Sequence, residues 1–170
     1  YKRQIEAGAS IVNDISAGAS LEMLRTVASN KVAIVLMHMQ GSPETMQTDP
    51  QYADVVADVA EILRHKAQRA ERAGIEKSRI ILDPGIGFGK TVAHNLEILN
   101  RLSEFVSLGY PVLLGASRKR FMSSICSEPK FSELVGATCA TTVIGARAGV
   151  SIFRVHDVKE NRQAMEVALA

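Results

Sequence analysis

An α/β fold built on a parallel sheet is what this 170-residue sequence predicts, and three observations predict it. Short apolar runs of strand length alternate five times with segments of helix length. Several of those runs are apolar throughout, as strands buried on both faces must be. Each run then gives way at its carboxyl end to polar or glycine-rich residues, on the rim where parallel α/β proteins bind ligands. Right-handed βαβ units at this spacing fit either a doubly wound sheet or a β/α barrel. A barrel takes eight repeats and about 250 residues, so five repeats do not close one.

The elements follow in order. Residues 1–8 read as the tail of a helix with a glycine stop, and the absence of an initiating Met predicts that the chain is the later part of a longer polypeptide. Residues 9–15 are a strand interrupted by Asn13 and Asp14, and Ser20 caps a helix over residues 21–29. Residues 31–37 form the next strand, which leaves through the loop from His38 past Ser42 and Pro43. Asp49 and Pro50 suit an N-cap and first helical residue, with Tyr52, Val55, Val56, Val59, Ile62, Leu63 and Ala70 on one face and Gly74 as the end. After the strand at 80–83, Leu96, Leu99, Leu102 and Val106 mark a helix that Gly109 stops. Residues 110–115 form a strand that exits through residues 116–121. A loop then carries the chain to Ser132, expected to cap a helix whose Gly136, Ala137, Ala140, Gly145 and Ala146 suit close packing on a sheet. Residues 150–155 are the last strand, and Asp157 with Glu160 resembles a capping box.

Composition narrows the function classes. A net charge of +2 is too small to argue for nucleic acid or a membrane surface, and 5% aromatic residues without Trp supply no stacking platform for single strands. No apolar run is long enough to cross a bilayer and no signal peptide is visible. Cys126 and Cys139 stand apart without zinc spacing, as reduced thiols in a cytosolic protein would.

The chemistry concentrates around Asp83-Pro84-Gly85-Ile86-Gly87-Phe88-Gly89-Lys90. Pro84 cannot donate to a ladder, so the strand stops at Asp83 and leaves a carboxylate at its mouth. A Walker A loop would need a glycine where Pro84 stands, and a dinucleotide fingerprint would need a small residue where Lys90 stands. Other strand exits carry Asn13 and Asp14, His38, then Ser117, Arg118 and Lys119, then Arg154 and His156. Singly, the bland readings are strong: an Asx-turn at Asn13 or Asp14, a packed core histidine at His38, a solvated basic loop at residues 118–120. Arg154 and His156 alternate along a strand and so share a face. Together these groups suit a flat amide-containing ring with an anionic tail. Asn13 offers donor and acceptor, Asp83 accepts, Lys119 donates, and Arg154 stacks while its edge, with His156, meets an anion.

Residues 11–15, 36–41, 83–90, 115–121 and 154–158 resemble, in this order, the motifs of the dihydropteroate synthase family of pterin-binding barrels. The resemblance spans essentially the whole chain. It implies a (β/α)8 TIM barrel of which this chain is an incomplete part, roughly strands 4–8, with residues 1–170 one partial pterin-binding domain. It implies transfer of a dihydropterin methyl group from its diphosphate to 4-aminobenzoate, giving dihydropteroate and diphosphate in folate biosynthesis. On that pattern Asn13, Asp83 and Lys119 hydrogen-bond the pterin, and Met37, Gly87 and Phe88 line its pocket. Arg154 lies against the ring and with His156 holds the diphosphate. Ser117 and Lys119 lie near the aminobenzoate, and Lys119, Arg154 and His156 carry the catalysis. The resemblance also implies Mg2+ held by a residue outside this chain, a homodimer, sensitivity to sulfonamides, and a cytoplasmic location, or an organellar one within a eukaryotic multifunctional enzyme.

The family's first three strands have no counterpart here, so these 170 residues alone are expected to bind pterin weakly and not to turn over. A pterin-dependent methyltransferase of the same superfamily is the alternative enzyme, and it should lack the Ser-Arg-Lys and Arg-Val-His exits together. A non-catalytic pterin-binding module is the alternative outside enzymology, and intact Asn13, Asp83, Lys119 and Arg154 weigh against it.

Overall fold

The computed structural model describes residues 1–41, 44–46 and 48–170; Ser42, Pro43 and Gln47 of the predicted exit loop lie outside the described residues. Five parallel strands, β1 (Ile11–Asp14), β2 (Ala33–Met37), β3 (Ile80–Asp83), β4 (Leu113–Leu114) and β5 (Ile152–Phe153), lie side by side in chain order. The first three form one sheet and the last two another. A bridge between Leu82 and Val112 and a bond from the Leu82 N–H to the Pro111 carbonyl, 2.9 Å, join them.

Side-chain alternation gives this row two unlike faces. Val12, Ile34, Leu36, Ile80, Leu82 and Leu114 are buried in the large core shared with the helices. Val35, Ile81 and Leu113 pack with Ala33 and Ile152 into a small cluster on the opposite face. Two residues further on come Met37 and Asp83, which end β2 and β3, and Gly115 and Arg154, the residues just past β4 and β5. The register pairs Val35 with Asn13 and with Ile81, and Met37 with Asp83. The small cluster is therefore a floor, and the polar groups stand on it.

The helices cover the other face. α1 (Lys2–Glu6) precedes β1, and α2 (Leu21–Ser29) is capped as expected, the Ser20 hydroxyl accepting from the Met23 N–H. α3 (Val55–Arg72) starts later than predicted. Asp49 has φ +55, outside the extended conformation an N-cap needs, and Asp54 takes the role, accepting from the Val56 and Ala57 N–H groups. Tyr52 lies before the helix, its hydroxyl on the Gly89 carbonyl at 2.7 Å, and Ile62 is exposed instead of facing the core.

The expected helix over 96–106 is two, α4 (Val92–Asn100) and α5 (Leu102–Val106), broken at Arg101. The buried face keeps its helical spacing across the break but is set one position earlier than predicted, at Asn95 and Phe105 in place of Leu96 and Val106. The buried stripe is Asn95, Ile98, Leu99, Leu102 and Phe105, and Leu96 points outward. Where a loop was expected after β4, α6 (Arg120–Cys126) forms, and Ser132 falls inside a 3-10 turn, not at a cap. α7 (Val135–Arg147) lies close to the sheet through Gly145, where an added Cβ would meet Phe153 at 2.8 Å and Leu114 at 2.9 Å. α8 (Val158–Leu169) begins after Asp157, but no capping box forms, because the Asp157 carboxylate is taken by Arg118.

Candidate functional site

Asp83 ends β3 fully buried, its strand halted by Pro84. One carboxylate oxygen accepts from the Gly85 N–H at 2.8 Å, and the other from Arg154 Nη2 at 3.0 Å. Burial pushes the Asp83 carboxyl up from its ordinary value, against the pull of Arg154 and Lys119. Arg154 also reaches Asn13 Oδ1 at 3.3 Å with its other terminal nitrogen. Its guanidinium thus spans the mouth of the floor from the first strand to the third. A side chain at Gly115 would collide with that guanidinium, so glycine is what admits the span.

β5 ends at Phe153, so Arg154 and His156 leave on the exit loop and do not alternate along a strand as predicted. Arg154 turns to Asn13 and Asp83. His156 turns to Ser117, with Nδ1 2.9 Å from the hydroxyl, while its backbone N–H donates to that oxygen at 3.2 Å. Lys119 completes the group from the β4 exit. Its ammonium sits 4.1 Å above the Phe88 ring and its stem lies against Gly87. Burial, then the neighbouring Arg154, lower its pKa against the opposing Asp83.

Asn13, Asp83, Lys119 and Arg154 therefore converge on one cup, with Gly87 and Phe88 at its side. Met37 is buried beneath Gly85, and Ser117 is buried with its hydroxyl committed to His156. Beside the cup a cleft of about 370 Å³ is lined by Gly87, Lys119, Arg120 and Phe121 among others. Asp14 makes the predicted Asx-type turn, accepting from Ser16 and from the Gly18 N–H at 2.6 Å; Asn13 does not.

Sequence reasoning passed over Lys90, noticed only for spoiling a glycine fingerprint. It is buried, and its ammonium meets three acceptors: His38 Nδ1 at 2.9 Å, the Phe88 carbonyl at 3.0 Å and the Gly85 carbonyl at 3.1 Å. Burial lowers its pKa to about 7 and that of His38 to about 3, so His38 is neutral and accepts. The bland reading of His38 as a packed histidine holds. Its carbonyl presses on Gly85, where any Cβ would clash, and φ is +69, so that position is closed to other residues. The signal for Lys90 was a lysine inside an otherwise apolar, glycine-rich turn. The described residues contain no group of three or more His, Cys, Asp or Glu side chains that could hold a metal ion.

Comparison with known proteins is consistent in direction. A family model described as "Pterin binding enzyme" matches residues 1–156. The dihydropteroate synthase of Escherichia coli (strain K12) is 41% identical over 169 residues, covering 99% of this chain and 60% of that protein. The crystal structures of the Thermus thermophilus enzyme with 6HMPPP and with 4-aminobenzoate each superpose with a TM-score of 0.94 at 38% identity, covering 99% of this chain and 66% and 65% of theirs. The Yersinia pestis enzyme in a sulfonamide drug complex gives a TM-score of 0.94 at 39% identity, covering 99% of this chain and 61% of that one. The chain thus spans about 60% of the length of the curated bacterial relative.

Proposed function

Because the chain belongs to the pterin-binding enzyme family, we propose that it carries the larger part of a dihydropteroate synthase active site, the later strands of a β/α barrel. Among the described residues, the consecutive order of five parallel strands, with no reversal of the kind a doubly wound sheet requires, supports an arc of a barrel, roughly strands 4–8. The observation that carries the functional reading is Arg154, held at once by Asn13 and Asp83 with Lys119 beside them.

In the proposed reaction the amine of 4-aminobenzoate attacks the methylene carbon of the dihydropterin methyl diphosphate. A C–N bond forms, the C–O bond to diphosphate breaks with its electrons, and the amine sheds a proton. Asp83 and Asn13 take over bonding to the pterin's N–H groups from the guanidinium of Arg154, which then lies on the ring. Lys119 donates to the ring, and Phe88 and Gly87 wall it, with Met37 beneath. Arg154 and His156 face the departing diphosphate, and stabilising that charge is the main chemical contribution of this chain. Positioning of the amine is the second. The cleft by Lys119, Arg120 and Phe121 combines cationic and aromatic groups, which suits an aromatic carboxylate. Ser117 acts there through His156. When bound, Mg2+ would neutralise diphosphate charge; its ligand is proposed to lie outside these residues.

A homodimer and a cytoplasmic or organellar location complete the proposal; no helix among the described residues is long and apolar enough to cross a membrane. The 170 residues alone are expected to bind the pterin weakly and not to turn over. The test is calorimetric titration of the dihydropterin methyl diphosphate into the full-length polypeptide and its Asp83→Asn and Arg154→Ala variants. Each is expected to weaken binding by at least about tenfold, the scale of a charge-assisted hydrogen bond. Unchanged affinity in both would overturn the assignment, and turnover by residues 1–170 alone would overturn the partial-site reading.

A further inference from the structure

Arg118 is the odd member of the β4 exit. It touches neither Asn13 nor Asp83, yet its backbone is left-handed, with φ +55, a conformation long side chains rarely adopt. Such a conformation persists only where the surroundings over-determine it. Here they do. The guanidinium grips Asp157 with two bonds, Nη2 to Oδ1 at 2.6 Å and Nε to Oδ2 at 3.1 Å, and both side chains are largely shielded. The Arg118 N–H donates to the buried Thr138 hydroxyl at 3.2 Å, itself anchored on the Leu134 carbonyl at 2.8 Å. One residue earlier, Ser117 is tied to His156.

Two adjacent rungs therefore join the β4 exit to the β5 exit, 117 to 156 and 118 to 157. Lys119 follows the first strand of this ladder and Arg154 precedes the second. The partner pays a visible cost. Asp157 stands at the N-cap of α8 with Glu160 in place for a capping box, and makes no cap bond, its carboxylate being committed to Arg118. A forgone cap and a strained backbone at the same contact mark a position that serves something other than stability.

We infer that the Arg118–Asp157 pair is a positioning clamp, which holds residue 118 left-handed so that Lys119 is aimed over Phe88 into the cup. This rests on the pterin-site reading for its purpose but not for its test. Arg118→Gly removes the grip while relieving the strain, and Asp157→Asn removes the charge while leaving a competent N-cap. The first readout needs no ligand: acetylation of individual lysines by a dilute acylating reagent, followed across pH by mass spectrometry so that rates are compared for the free amines, with the exposed Lys130 as internal standard. In the unmodified protein Lys119 should label more slowly than Lys130. In both variants its labelling should rise to the Lys130 rate, with the thermal midpoint unchanged or raised. The second readout is affinity for the dihydropterin methyl diphosphate, which should fall about tenfold in both variants, one mispositioned charge-assisted contact. Lys119 remaining protected in either variant overturns the clamp. A parent protein that fails to bind the pterin diphosphate while the labelling difference persists overturns the pterin reading and leaves the clamp standing.

Discussion

At the scale of single residues, the buried pair His38–Lys90 has a consequence for acid stability. The unfolded chain takes up a proton at His38 below about 6.5, while the folded chain refuses it until about 3. Stability from this group is therefore complete above 6.5 and is lost as pH falls towards 3, by about 1.4 kcal/mol per pH unit. His38→Gln keeps an acceptor for Lys90 and abolishes the titration. Its unfolding free energy in urea should vary with pH less steeply by about 1.4 kcal/mol per unit between roughly pH 4 and 6; parallel curves for the two proteins would refute this. Asn13, Asp83, Lys119 and Arg154 were legible in the sequence because each is a polar group at the end of an apolar run. The contacts of Lys90, Arg118 and Asp157 were not. Their partners lie 52 and 39 residues away in sequence, and nothing local reveals such a pairing.

At the scale of elements, strands and the cap of α2 were readable because their signals are local: apolar runs, and a serine ahead of a helical stripe. The start of α3 was not. Asp49-Pro50 carries the local signature of a cap, but the role falls to Asp54, whose carboxylate is also gripped at 3.0 Å by Arg101 from the break between α4 and α5. Asp54→Ala should lower the thermal midpoint by about 2–4 °C, whereas Asp49→Ala should move it by less than about 1 °C. Equal effects in calorimetry would return the cap to Asp49. The small residues of α7 separate in the same way. Gly145 faces Phe153 and Leu114, so Gly145→Val should cost about 1–3 kcal/mol by overpacking. Gly136 meets nothing within 4 Å, and Gly136→Ala should stabilise by about 0.5 kcal/mol through helix propensity. Chemical denaturation of the two variants decides the matter, and a stable Gly145→Val protein would mean α7 does not rest on the sheet.

At the scale of the molecule, the sequence order of strands is also their spatial order, and among the described residues β1 pairs only with β2 and β5 only with β4. The two ends of the row are consequently edges. Ile11 on β1 is 51% exposed, an apolar group beside unpaired backbone, the combination that templates pairing between copies. The 170-residue chain on its own should therefore associate at micromolar concentration, and Ile11→Lys should suppress that association in light scattering. A chain that stays monomeric regardless would show the edge to be inert. Whether the strands belong to a barrel or a wound sheet could not be decided from five repeats of sequence, since both obey the same right-handed rule; the consecutive order favours the barrel.

The reach of Arg154 to Asn13, across 141 positions, bears on how the protein comes into being at the ribosome. β1 to β3 can pair while synthesis continues, but the bracket over their polar ends arrives only once β5 and the residue after it have been made. A nascent chain interrupted before Arg154 would leave the Asp83 carboxylate and the Asn13 amide without the guanidinium that bridges them.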